Sequence, residues 1–305
     1  MANLTSLMAE TVVFLFDEGG HIPLGTAFVV GYPIDEATQT VVPLLVTAKH
    51  VIGDRNTVVA RFSPRSDTRP VSVSYDLAKL RAEGDMWEHV DDGVDIVVFR
   101  TLHYRATSYN PFPLRLIASK QDCAEHEVVA ADRVVFPCLL THFMGTARNY
   151  PVVRSGTIAL VPEEPVPLKY RVGSRQITTQ QELVFIDATS VPGASGAPVF
   201  LAPGPRLKGN TYTLGGTPAL LLGVMHGFYV AARELVNIQS QAMQAFAENT
   251  GIAIVFPSWR LLEILQQSEL KKRVEELVGS ENIHDEREPD MRPEGSTKGA
   301  DKGGG

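Results

Sequence analysis

Short apolar runs separated by turn residues fill the first 260 positions of the chain. In the first half they fall at 11–16, 25–30, 41–47, 58–62, 71–75 and 95–101. Glu18-Gly19-Gly20, Tyr32-Pro33, Gly53-Asp54 and Ser63-Pro64 punctuate them. In the second half they fall at 128–140, 152–160, 182–188, 198–201, 219–229 and 251–256. Each half therefore predicts about six strands, rich in β-branched and aromatic residues. The segment 77–92 breaks this rhythm: Leu77, Leu80 and Trp87 predict a short helix or packed loop, ended by Asp91-Asp92-Gly93. The stretches 144–149 and 162–167 read as surface connections. Residues 235–248 have helix-forming composition and predict a helical insertion near a cleft. Ser258 reads as the cap of a helix whose stripe Trp259, Leu262, Ile264 and Leu265 would face the second β unit. A second helical piece follows over 266–278. Beyond Gly279 almost no apolar residue remains, which predicts a disordered tail. The expected layout is two β units over 1–115 and 116–257, helix over 258–279 and tail over 280–305.

The bulk properties narrow the function classes. Length alone, at 305 residues, suggests about two domains. The hydrophobic fraction of 44% supplies a core, while the net charge of −7 argues against a nucleic-acid partner, which would need a basic face. No run reaches the ~18 apolar residues of a membrane span, and the first ten residues lack the basic region of a signal peptide. With only Cys123 and Cys138, the expectation is a cytoplasmic protein. The pair reads as two thiols in preference to a disulfide.

Two short segments carry the chemistry. Gly193-Ala194-Ser195-Gly196-Ala197-Pro198 reads G-A-S-G-A-P, followed by the strand-like Val199-Phe200-Leu201. A serine between glycines sits on a tight turn with an accessible hydroxyl, and the backbone there can turn N–H groups toward a carbonyl oxygen. Upstream, Thr47-Ala48-Lys49-His50-Val51 closes the apolar run 41–46 and offers a base. Between them Asp95 opens D-I-V-V-F-R; Asp91 and Asp92 compete with it for the role of carboxylate partner.

In the order His, Asp, Ser these motifs resemble those of the trypsin-like (chymotrypsin-fold) serine peptidases, T-A-x-H and G-x-S-G-x-P, of the bacterial cytosolic kind without a PDZ domain. The resemblance implies an all-β fold of two six-stranded antiparallel barrels and an endopeptidase that works through an acyl-enzyme. It gives Ser195 the role of nucleophile, His50 that of base and Asp95 that of orienting carboxylate, with the Gly193 and Ser195 N–H groups as oxyanion hole. It places the substrate pocket at Thr189, Ser190, Met225, His226 and Gly227. His226 could instead pack or hydrogen-bond near the triad. No acidic residue stands at the pocket base, which favours a small or medium uncharged side chain before the cut bond. Ala194 replaces the aspartate of digestive trypsins, so control by a newly cut N-terminus is not expected. The resemblance calls for no cofactor or metal, and for a protein or peptide substrate. The rival reading is an interaction module, or a latent peptidase opened by an activating partner.

Overall fold

The computed structural model describes residues 8–35, 40–65, 69–101, 107–189, 191–202, 206–208, 211–213, 219–236 and 243–279. Eight strands precede position 114: β1 (Val12–Phe16), β2 (Pro23–Asp35), β3 (Thr40–Thr47), β4 (Thr57–Phe62), β5 (Val71–Asp76), β6 (Met86–Glu88), β7 (Val97–Arg100) and β8 (Phe112–Pro113). Seven form one antiparallel half-barrel in the order β5-β4-β1-β2-β3-β7-β6, and β8 joins β2 in parallel. The pattern of each strand reports its surroundings. In β5 buried Val71, Val73 and Tyr75 alternate with exposed Ser72, Ser74 and Asp76, the signature of a strand with one wet face. In β1 every residue is buried. Its Val13 and Leu15 enter the core of this sheet, while Val12, Phe14 and Phe16 meet Leu139 from the other half of the molecule.

The second half contributes β9 (Arg133–Cys138), β10 (Val152–Leu160), β11 (Val166–Val172), β12 (Arg175–Gln181), β13 (Val184–Asp187), β14 (Pro198–Leu201), β15 (Arg206–Lys208), β16 (Thr211–Thr213), β17 (Leu221–Val236) and β18 (Met243–Pro257). Six of them close a barrel in the order β10-β13-β18-β17-β14-β9. Thus the all-β architecture expected from the strand rhythm is present, with a closed barrel beside a half-barrel. Hairpins β11–β12 and β15–β16 stand apart as two-stranded sheets.

Several local readings need correction. Where a helical insertion was expected over 235–248, β17 and β18 continue as a paired ribbon, from Val230↔Asn249 to Val236↔Met243; positions 237–242 lie outside the described residues. Cross-strand pairing overrides helix propensity here. The supposed surface connection at 162–167 runs into β11, and its partner β12 had no counterpart in the sequence reading. Over 77–92 the helix α2 (Leu77–Ala82) is joined by β6; the single-turn α1 (Lys49–Ile52) precedes it and α3 (Lys120–Glu125) follows. Ser258 does not cap its helix. Pro257 occupies the N-cap of α4 (Ser258–Leu265), and Ser258 Oγ donates to the Ala118 carbonyl.

The C-terminal helices serve both halves. Leu261, Ile264 and Leu265 of α4, with Leu270, Val274 and Leu277 of α5 (Ser268–Gly279), share one buried cluster with Val46, Trp87 and Val98 of the half-barrel and with Phe200, Leu221 and Phe256 of the barrel. Arg273 Nε donates to the buried Asp85 at 2.8 Å and Gln267 donates to the Glu88 carbonyl. The helices therefore weld the two sheets together, in place of packing on the barrel alone. The expected tail over 280–305 lies outside the described residues.

Candidate active site

The cleft between the sheets collects His50 from α1, Asp95 from the turn before β7 and Ser195 from the turn before β14. Asp95 is almost wholly buried. Its Oδ1 accepts the backbone N–H of His50 at 2.9 Å, and its Oδ2 accepts His50 Nδ1–H at 2.5 Å. The Asp91–Asp95 ambiguity resolves on geometry: Asp91 accepts from Gly93 N–H and Gln181, and Asp92 accepts from Lys49 Nζ. Burial alone would push the Asp95 carboxyl up, but the His50 and His226 imidazoles and their hydrogen bonds hold it well below the usual carboxylate range. For His50, burial opposes the charged form, yet the Asp95 charge and hydrogen bond leave its pKa raised above the ordinary value.

The Ser195 turn is built from main-chain constraints. Gly193 and Gly196 have φ of 99° and 82°, in the left-handed region that glycine enters without penalty. The Gly196 N–H donates to the Met225 carbonyl at 2.8 Å. Thr26 of β2, fully buried, reaches across from the half-barrel. Its N–H donates to the Ser195 carbonyl at 2.8 Å and its Oγ1 to the Gly193 carbonyl at 2.6 Å, while Oγ1 accepts the Leu139 N–H at 2.9 Å. Thr47 Oγ1 in turn donates to the Thr26 carbonyl. The Gly193 and Ser195 carbonyls are thereby occupied. Among the described residues the N–H groups of Gly193 and Ser195 have no acceptor within the chain. Ser195 Oγ donates to the His226 carbonyl at 3.0 Å.

His226 is the residue whose place sequence reasoning left open. Its Nδ1 lies 2.5 Å from the same Asp95 Oδ2, which joins its side chain to the triad-like group. Met225 is fully buried in the barrel core, Gly227 is half-buried and Thr189 exposed; Ser190 lies outside the described residues. Two residues escaped the sequence reading. Thr26 carries no motif signal. Tyr170 could have been found, because buried Leu168, Tyr170 and Val172 alternate with exposed neighbours along β11. Its hydroxyl donates to the Gly93 carbonyl, and its ring meets His226 edge-on at 5.0 Å.

Among the described residues, His50, Asp95 and His226 have metal-ligand atoms within 4.8 Å of one another. Ligand atoms around a tetrahedral zinc lie about 3.3 Å apart, from metal–ligand distances near 2.0 Å. The 2.5 Å separations here are those of hydrogen bonds onto a carboxylate, and the arrangement suits proton handling. A hydroxyl on a glycine turn, an imidazole oriented by a buried carboxylate and two backbone donors without an acceptor among the described residues are the parts needed for acyl transfer.

A search of curated proteins returns no match. The family model of the trypsin-like peptidase domain matches residues 25–205, a span that contains His50, Asp95 and Ser195. On that match, with the fold described above, the chain belongs to the trypsin-like peptidase domain family.

Proposed function

We propose that the protein is a serine endopeptidase that cuts peptide bonds through an acyl-enzyme. The observation that carries this reading is His50, fixed on Asp95 at 2.5 Å, together with a Ser195 turn whose Gly193 and Ser195 N–H groups have no acceptor among the described residues. In the mechanism, His50 Nε2 takes the Ser195 proton as Oγ attacks the carbonyl. The Gly193 and Ser195 N–H groups receive the oxyanion, and His50 then protonates the leaving amine. Asp95 stays ionised and stabilises the imidazolium. A substrate strand can lie along residues 226–228, since the pairing of β14 with β17 stops at Val224; such pairing is sequence-tolerant. Thr189 and Gly227 add no charge to the pocket, in line with an uncharged side chain before the cut bond. A cytoplasmic setting suits the two free cysteines, whose thiols burial pushes up to about 11. The test is hydrolysis of unfolded casein. Ser195→Ala should lower the rate on the order of 10⁶-fold with an unchanged circular dichroism spectrum; equal rates would end the proposal.

A second reading has one specific support. The Ser195 hydroxyl is donated to the His226 carbonyl, not to His50, so the attacking geometry requires the hydroxyl to turn to His50, a change that a substrate or an activating protein could drive. A latent peptidase would then show little activity alone. Incubating Ser195→Ala protein with candidate partners, then adding wild-type protein, separates the cases. A captured partner that wild-type protein cuts is a substrate; an uncut partner that raises casein hydrolysis is an activator.

A further inference from the structure

We propose that His226 is a positioning residue for the triad, and that it sets the proton affinity of His50 by donating a second hydrogen bond to the same carboxylate oxygen. This rests on the peptidase reading above. Asp95 is buried and ionised, so both imidazole nitrogens facing Oδ2 must carry hydrogen: His50 Nδ1–H and His226 Nδ1–H. The two rings cross at 71° with centroids 5.0 Å apart, which lets both reach one oxygen without stacking. Tyr170 of β11 and Phe256 of β18 flank the His226 ring edge-on, at 5.0 and 5.7 Å. The ring is thus wedged between aromatic neighbours, and its backbone carbonyl holds the resting Ser195 hydroxyl. One residue therefore touches the carboxylate with its side chain and the nucleophile with its main chain.

The consequence follows from charge. A carboxylate that accepts one donor offers its full charge to the imidazolium formed during attack. When a second donor sits on the same oxygen, part of that charge is already stabilised, and the pull on a proton at His50 weakens. The other ionisable groups facing the pair leave this balance intact. The Tyr170 hydroxyl is pushed up by burial and by Asp95, and stays neutral. Asp92 is matched by Lys49 Nζ at 3.0 Å and Arg175 at 3.3 Å, and Asp91 accepts from Gln181.

Two substitutions read this out. His226→Phe keeps a ring and removes the donor; His226→Gln keeps an N–H donor without an imidazole. The acid limb of kcat/KM for casein-derived peptides should move up by about 0.5–1 pH unit in His226→Phe, since one hydrogen bond to a charge is lost. His226→Gln should return it to within about 0.3 unit of wild type. A limb that stays put in His226→Phe while kcat falls means a merely structural role and overturns the proposal. A second measurement does not need turnover. Proton spectra of histidine-labelled full-length protein should show two low-field Nδ1–H signals in wild type and one in His226→Gln. A single signal in wild type would overturn the proposal even if Ser195 proves reactive. Two signals in a protein that never hydrolyses peptides would retain the double hydrogen bond and reject the peptidase reading.

Discussion

The nucleophile side and the carboxylate side of the cleft are held by different means. Around Ser195 the constraints are main-chain: left-handed glycines and backbone hydrogen bonds, together with the Thr26 clamp reaching over from the half-barrel. Around Asp95 they are side-chain: Lys49 on the Asp92 carbonyl and carboxylate, Gln181 on Asp91, and Tyr170 on the Gly93 carbonyl. Much of that support comes from the β11–β12 hairpin, whose turn is tied to the half-barrel where Asp54 accepts from Ser174 N–H and Oγ. The difference is chemically sensible. An oxyanion hole needs peptide groups fixed in direction, which dihedrals and backbone bonds fix best. A carboxylate needs a dry, charge-balanced enclosure, which packed side chains provide.

Loss of the Ser195 hydroxyl itself aside, the largest expected effect lies on the carboxylate side. Asp95→Asn should lower kcat/KM by roughly 10⁴-fold, because an amide has no negative charge to counter that on His50 and only one oxygen for the three N–H groups that Asp95 accepts. It should also change the pH dependence of stability. The Asp95 carboxyl is held below its ordinary value, so its contribution is present above about pH 4 and is lost as pH falls toward the folded-state pKa. Denaturant midpoints between about pH 2 and 5 should therefore vary less in Asp95→Asn than in wild type. An unaltered slope would show that the enclosure contributes nothing.

On the nucleophile side, Thr26→Val removes the hydroxyl that joins the Gly193 carbonyl and the Leu139 N–H at nearly constant volume. The turn keeps its other backbone bonds, so kcat should fall about 10–100-fold with KM within about threefold. A change confined to KM would place Thr26 in substrate binding instead. The smallest effect belongs to the hairpin. Tyr170→Phe deletes one buried hydrogen bond to the Asp95 turn and should cost about 1 kcal/mol of stability, with kcat lowered about threefold or less. If Tyr170→Phe cut the rate more than Thr26→Val, the assignment of catalytic alignment to the main-chain side would be reversed.

The same contrast explains what the sequence could reveal. G-A-S-G-A-P and T-A-K-H-V are local strings because a glycine turn and a strand end are local structures, and Asp95 was found by the apolar strand behind it. Strand rhythm located most of both β units, since period-two burial is written into runs such as Val71–Asp76. What stayed hidden is held by contacts distant in sequence. Thr26 meets Gly193 across 167 positions, and His226 meets Asp95 across 131; no local pattern encodes either. The β17–β18 ribbon was misread because Gln, Ala and Glu favour helix when taken alone, while pairing decides. Helix α3 did carry a legible signal, the Ser119–Asp122 capping box, in the stretch between the apolar runs at 95–101 and 128–140 that the strand rhythm left unassigned.

The central claim is that His50, backed by Asp95, activates Ser195. Fluorophosphonate labelling mapped by peptide mass spectrometry tests it most directly. Modification is expected at Ser195, rising with pH through a midpoint above about 6.5 because the His50 pKa is raised, and falling at least about 10³-fold in rate in His50→Ala. Modification elsewhere on the chain, or equal rates with and without the imidazole, would contradict it.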